Sequence, residues 1–437
     1  MAKISTEGWP VQILPFKSGK NFPISLSGHM VLVFRDDDGK EFHINAGPAN
    51  ESRPYGQLDL RDINSPLTKR FNVVDGSQVN AAWRGSTKID FDGRDPEDVW
   101  DILIQHAKNI HNADIAYNAL TKNSNAVIGT LLDVVGIDIR DFLPDPRGIM
   151  LGGFIGKKTQ LNFDFSLTGT DGDDILKGRN GRQTFNGMDG DDHLYGGFGR
   201  DHLFGNDGRD LLVGGRGKDL LSGGLGRDEL SGGADNDILK GGRGPDLLNG
   251  GKGRDTLLGM AGNDTLKGGL AGDDISGGAD EDLIAGGGGH DILSGGAGAD
   301  TLRGAAGNDE LHGGDGDDRL KGGDGDDVLQ GGAGQDQLIG GIGADTFVFQ
   351  DASDSGLGTE ADRVLDFDAG EDVIDIEALA SDLVFAEDGF TGTGPSFYLD
   401  ETGGNTEVQV DVDGDGVADM RIVVRNAIGL GEDDFIF

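Results

Sequence analysis

Residues 295–303 read GGAGADTLR, and this nine-residue pattern fills the chain from Gly169 to Val348 twenty times without one insertion or deletion. Every unit opens with Gly, the fourth position is Gly in seventeen, the sixth is Asp in nineteen, and the eighth is Leu, Ile or Phe in all twenty. A period this strict over 180 of 437 residues specifies stacked copies of one small unit. Glycines at the first, second and fourth positions are expected to allow φ > 0 and to curl the backbone so that its carbonyls face inward. The Asp at the end of that cup supplies a hard anionic oxygen of the kind Ca²⁺ prefers. The apolar eighth residue lies in a three-residue stretch long enough for a minimal strand. So short a strand cannot bury its single apolar side chain alone, so the units must stack, two to a coil, each strand pairing with its equivalent in the next. Twenty units make about ten coils, and at roughly 4.8 Å per strand they make a spine on the order of 45 Å long. A Gly-rich linker has no reason to place a large apolar residue at every eighth position. Collagen would need glycine at every third.

The pattern GGxGxDxUx, with U a large apolar residue, resembles the repeats-in-toxin (RTX, hemolysin-type) family, whose nonapeptides fold as a right-handed parallel β-roll around Ca²⁺ ions. The resemblance implies that the sixth-position carboxylates meet loop carbonyls of the stacked neighbour around each ion. They are Asp174, Asp192, Asp201, Asp210, Asp219, Asp228, Asp237, Asp246, Asp255, Asp264, Asp273, Asp282, Asp291, Asp300, Asp309, Asp318, Asp327, Asp336 and Asp345. The pattern breaks at Gln183, a neutral amide in the Asp position, and at Asp235, Ala271 and Asp280, where the fourth-position Gly is lost.

Charge points the same way. The repeat block carries 34 acidic and 16 basic side chains, crowded on the loop edges, and without cations it should repel itself open. A ligand that binds only the folded form stabilises it by about 2.7 kcal/mol per site at a hundredfold excess over its Kd. Extracellular calcium modules work at Kd of roughly 10⁻⁴ to 10⁻³ M, so the roll is expected to fold where calcium is abundant, outside the cell. The chain has no cysteine, which excludes disulfides, thiolate catalysis and cysteine metal sites. Its start, MAKISTEGWPVQILPFK, lacks the features of a secretory signal peptide, and no apolar run is long enough to be a transmembrane segment. A net charge of −41 argues against nucleic acid and anionic membrane surfaces as partners.

Composition shifts set three expected regions: an α+β effector or binding domain over 1–160, the roll over 161–348, and a β-rich cap over 349–437. The last, from Phe349, holds 23 acidic residues against three Arg and no Lys or His. Strands are expected at 363–367, 372–376, 407–412 and 420–424, separated by Asp and Gly turns. The stretches ADTFVF, DRVLDFDAGEDVIDI and DVDGDGVADM resemble the carboxy-terminal domain of serralysin-type secreted metalloproteases. That resemblance implies export through type I secretion machinery reading an uncleaved carboxy-terminal signal, and the ending EDDFIF fits it. Asp411, Asp413, Asp415 and Asp419 have the alternate spacing of an EF-hand-like loop, without a Glu at its twelfth position.

Residues 1–168 are nearly balanced, with 18 basic and 21 acidic side chains and all three Trp. A strand is expected over 11–16, a hairpin over 29–35 and 41–45, a helix from Asp95-Pro96-Glu97 to about 112, and a second helix over 125–135. No H-E-x-x-H, G-x-S-x-G or P-loop occurs, which sets aside zinc proteases, α/β-hydrolase lipases and P-loop nucleotide enzymes. The order SGHMVLVF, with His29, then YNALTKNSNAVIGTLL, with Ser124 before a helix, resembles permuted papain-like (NlpC-type) domains, with Ser where those have Cys. A Ser hydroxyl is too weakly acidic to be activated by a helix N-terminus and needs His29 as general base, with His43 and Asn123 as orienting partners. The simpler reading makes Ser124 a helix N-cap. Two classes of function follow: a secreted, calcium-folded protein whose amino-terminal domain binds a cell-surface or extracellular polymer, or a secreted hydrolase using Ser124 and His29.

Overall fold

A computed structural model describes residues 164–437 apart from 388 and 391, and before them the backbone of four strands. The chain divides into two compact units, 1–207 and 208–437.

In the first unit, β1 (Pro23–Ser27), β2 (His29–Arg35), β3 (Glu41–Asn45) and β4 (Thr87–Lys88) form an antiparallel sheet in the order β3-β2-β1-β4. The expected hairpin of β2 and β3 pairs Arg35 with Glu41 and Val31 with Asn45. The expected strand at 11–16 and the helices at 95–112 and 125–135 lie outside the described residues. The unit continues as five strands of the repeat array: β5 (Phe165–Thr168), β6 (Ile175–Lys177), β7 (Gln183–Asp189), β8 (His193–Phe198) and β9 (His202–Gly208). Pairing is parallel and skips one strand, β5 to β7 to β9 and β6 to β8.

The second unit carries the same construction from β10 (Leu211–Arg216) to β25 (Thr346–Val348). Each strand pairs in parallel with the strand two later at a register of eighteen residues: Leu239 lies beside Leu257, and Leu257 beside Ile275. One turn therefore comprises two nonapeptides, and the twenty repeats give a parallel β-solenoid of about ten turns. Most strands are six residues long rather than the three expected, because pairing runs on through the glycines: β13 (Ile238–Arg243) and β15 (Thr256–Ala261) stay in register through Gly242 and Met260 to Arg243 and Ala261. Side chains alternate across each strand, so positions six, eight and one face inward while seven, nine and two face outward. All twenty eighth-position residues, from Leu176 to Phe347, are at most 1% exposed. The core is two facing columns of Leu, Ile and Phe, one residue wide.

After β25 the ladders are prolonged by the cap. One side receives β26 (Asp362–Val364), then β31 (Met420–Val424), β30 (Asn405–Asp411), β29 (Ser396–Thr402) and β28 (Val384–Phe385). The other receives β27 (Val373–Asp375) and the terminal β32 (Phe435–Ile436). Strands fall in all four expected places, and β28, β29 and β32 add to them. β29 and β30 form a hairpin across Gly403-Gly404, both at positive φ, the two-residue turn whose twist suits adjacent strands. Phe397 fills a small core of its own against Phe385, Phe435 and Phe437, with ring centroids 4.9 to 5.2 Å away.

Candidate metal centre

The glycines of the repeat serve two different purposes. From Gly187 on, φ is positive at the second and fourth positions, as in Gly242 and Gly244, and the residues that replace glycine there hold the same conformation: Met188, Asn206, Asp235, Met260, Ala271, Asp280 and Ala305; in the first two repeats Thr170, Gly172 and Arg179 do not. The first-position glycines do not have positive φ, contrary to the expectation for them. They are glycine for want of room. A methyl group on Gly232 would stand 2.5 Å from Asp237 Oδ2 and 2.9 Å from the carbonyl oxygen of Gly250, one turn on. The space that Gly232 leaves is shared by the carboxylate of its own repeat and a carbonyl of the next turn, and the arrangement recurs at Gly241 and Gly250. This explains why the first position has no exception while the fourth has three.

The sixth-position aspartates form two buried ladders, each residue at most 4% exposed. In the first unit Asp192 Oδ1 accepts the Asp174 N–H at 2.8 Å, and Asp201 Oδ1 accepts the Gln183 N–H at 2.7 Å. Gln183 thus keeps its place in the ladder without a charge. In the second unit every aspartate from Asp228 to Asp345 accepts the N–H of the one eighteen residues before it, as Asp255 Oδ1 does from Asp237 and Asp345 Oδ1 from Asp327. One oxygen of each carboxylate is thereby used. From Asp237 to Asp345 the other, Oδ2, is buried and accepts no hydrogen bond, and it is this oxygen that faces the first-position glycine.

Burial is the main cause that pushes these carboxyls up, Asp237 to about 8 and Asp246 and Asp318 to about 7. The N–H from the neighbouring turn works against the rise, and carboxylates one turn away add to it. An ionised carboxylate buried with an unsatisfied oxygen is costly unless a cation meets it. Carboxylate and carbonyl oxygens without nitrogen or sulfur form the donor set of a hard divalent ion. The residues present therefore fit calcium: Oδ2 of the aspartates from Asp237 to Asp345 would supply charge, and a carbonyl such as that of Gly250, at the first position of the next turn, would supply a neutral ligand.

Elsewhere, carboxylate oxygens of Asp411, Asp413 and Asp419 lie within 4.8 Å of one another. Asp411 is buried and accepts from the N–H groups of Gly414, Asp415 and Gly416, while Asp419 Oδ2 accepts from Val412 and Asp413. The loop is held by its own amides, and Asp415 is outside the group. Of the candidate catalytic pair, His29 opens β2 opposite Ser27, and Ser124 lies outside the described residues, as does Asn123. His43 lies in β3 opposite Val33. Among the described residues no helix is long and apolar enough to cross a membrane.

The profile of the RTX calcium-binding nonapeptide repeat matches nine overlapping stretches between residues 168 and 347. No curated protein matches the chain. Solved structures do, 33 chains in all. One is the solution structure of the AlgE6R3 subunit from the Azotobacter vinelandii mannuronan C5-epimerase, 33% identical over 36% of this chain and 78% of that one, with a TM-score of 0.23. With their eighteen-residue turns, their buried aspartate ladders and the match of the repeat profile, residues 168–347 are RTX calcium-binding nonapeptide repeats folded as a β-roll.

Proposed function

We propose that calcium bound along the aspartate ladders folds this protein after export, and that the folded roll carries an amino-terminal domain that binds a cell-surface or extracellular polymer. The observation that carries the reading is the unsatisfied Oδ2 of Asp237 to Asp345, each set in the space of a first-position glycine. Metal-free, these carboxylates oppose the fold that buries them, whereas with calcium the same burial is favourable. Binding energy then becomes folding energy, and it adds from turn to turn along the stack. The nineteen sixth-position aspartates are the proposed ligands. Export through a type I system is supported by the serralysin-like stretches ADTFVF, DRVLDFDAGEDVIDI and DVDGDGVADM. The regions 1–160, 161–348 and 349–437 are the proposed division of labour.

The test is circular dichroism and hydrodynamic radius of the full chain while free calcium rises from chelated levels to about 10 mM, above the usual affinity window. A cooperative gain of β signal with compaction is expected. A chain already fully folded in chelator, or still expanded at saturation, would sink the proposal.

A further inference from the structure

We propose that the cation ladder does not end with the last nonapeptide but takes one more calcium ion between Asp336 and Asp362, where the roll meets the cap. The inference rests on the reading of the repeats as calcium sites and extends it to a residue outside them. Asp362 is 26 residues from Asp336 instead of 18, yet it occupies the next rung: its Oδ1 accepts the Asp336 N–H at 2.8 Å, and Val364 lies beside Leu338 as one eighth-position residue lies beside the next. Its exposure is 0%, and Oδ2 of both Asp336 and Asp362 is buried without a hydrogen-bond partner. Two unsatisfied carboxylate oxygens on adjacent rungs repeat the arrangement seen inside the roll.

The surroundings differ in one respect that favours a cation. The stretch that leads to Asp362 is not a nonapeptide: after Val348 the chain runs through the turn 351–355 in place of a glycine-rich repeat loop. That turn brings Asp354, only 8% exposed, whose charge acts on both Asp336 and Asp362. Ser355 closes the ladder: its hydroxyl accepts the Asp362 N–H at 2.8 Å and donates to the Arg421 carbonyl at 2.7 Å. An ion held by Asp336 and Asp362, with the Asp354 charge beside them, would therefore tie the last full turns of the roll to β26 and, through Ser355, to β31.

The experiment counts calcium bound to the full chain after equilibrium dialysis at fixed free calcium, in the wild type, Asp362→Asn, and Asp382→Asn, an exposed cap residue that makes the same charge change. One ion fewer is expected in Asp362→Asn and no change in Asp382→Asn. An unchanged count in Asp362→Asn overturns the inference while leaving the repeat sites standing. A wild type that binds no calcium overturns the repeat reading itself. If Asp362→Asn gains no β signal with calcium, Asp354→Asn, which keeps the bond from Asp336 to Asp362 and removes a negative charge beside them, decides by the count at subsaturating free calcium: a lower count supports the site, and an unchanged count overturns it.

Discussion

A methyl group added at Gly250 would stand 2.5 Å from Asp255 Oδ2 and 2.8 Å from the Gly268 carbonyl, on the oxygens assigned to calcium. Gly250→Ala is expected to cost about 1–3 kcal/mol, as overpacking does, and to remove the ion of that loop, so bound calcium falls by one. An unchanged count would mean the cation lies elsewhere. Met260 is the opposite case. It holds φ of 84° with its side chain 53% exposed, so Met260→Gly relieves a left-handed backbone and gives up little contact. It should stabilise the calcium-loaded roll by about 0.5–1 kcal/mol after the extra chain entropy of glycine, visible as a raised urea midpoint. The titration of the aspartates gives a further prediction. Asp237 and Asp246, pushed up to about 8 and about 7 by burial, hold their protons more tightly folded than unfolded, where the ordinary value is about 4. Metal-free folding is therefore favoured in acid and loses that advantage as pH rises from about 4 through those values. In chelator the β signal should grow on acidification, whereas with calcium present acid should release the ions, since proton and cation compete for the same oxygens. A metal-free signal that stays flat between about pH 4 and 8 would contradict this.

At the scale of the element, each strand depends on one inward side chain and two neighbours. Leu257 is fully buried beside Leu239 and Ile275, and Leu257→Ala should cost about 2–5 kcal/mol. In a stack where each turn touches only the next, the damage stays local. Hydrogen exchange should show loss of protection in the turns around Leu257 with the cap unaffected, while uniform loss would mean the roll unfolds as one block. The sequence carried this much plainly, because a strict period puts Asp237, Leu239 and Gly241 at alternate, inward places of one strand whatever lies around them. It did not carry the strand length, since glycine reads as a breaker, yet here parallel pairing runs on through Gly242 to Arg243. Asp362 and Asp372 were hidden for a different reason. They accept the N–H groups of Asp336 and Asp345, but insertions lengthen their spacing to 26 and 27 residues, so the period that reveals the other rungs passes over them. β29 announced itself only through the Gly403-Gly404 turn, which shows as a hairpin once both flanking runs are taken as strands.

For the molecule as a whole, the decisive asymmetry is at its carboxy-terminal end. A solenoid turn is satisfied by the turn on either side, so the final one needs a substitute or leaves a row of open amides and an uncovered apolar pair. Here the cap provides it at every level. Asp362 and Asp372 take the last aspartate N–H groups, Val364 and Ile374 cover Leu338 and Phe347, and Ser355 ends the ladder with an oxygen that needs no further turn. The terminal residues belong to this closure, since Phe435 pairs with Ile374 and the Ile436 carbonyl accepts the Ile376 N–H at 2.8 Å. Removing residues 349–437 should therefore do more than shorten the protein. The truncated chain keeps all nineteen sixth-position aspartates, so a roll stabilised by its ions alone would fold at the same free calcium as the full chain. If the cap seeds the stack, the calcium midpoint should rise several-fold and the transition broaden, because the first turn to order would have no partner on its carboxy-terminal side. Adding back the cap as a separate chain would not restore the midpoint if its contribution depends on being tethered. Equal midpoints for the two chains would show that the roll closes itself and that the cap is not needed to fold it.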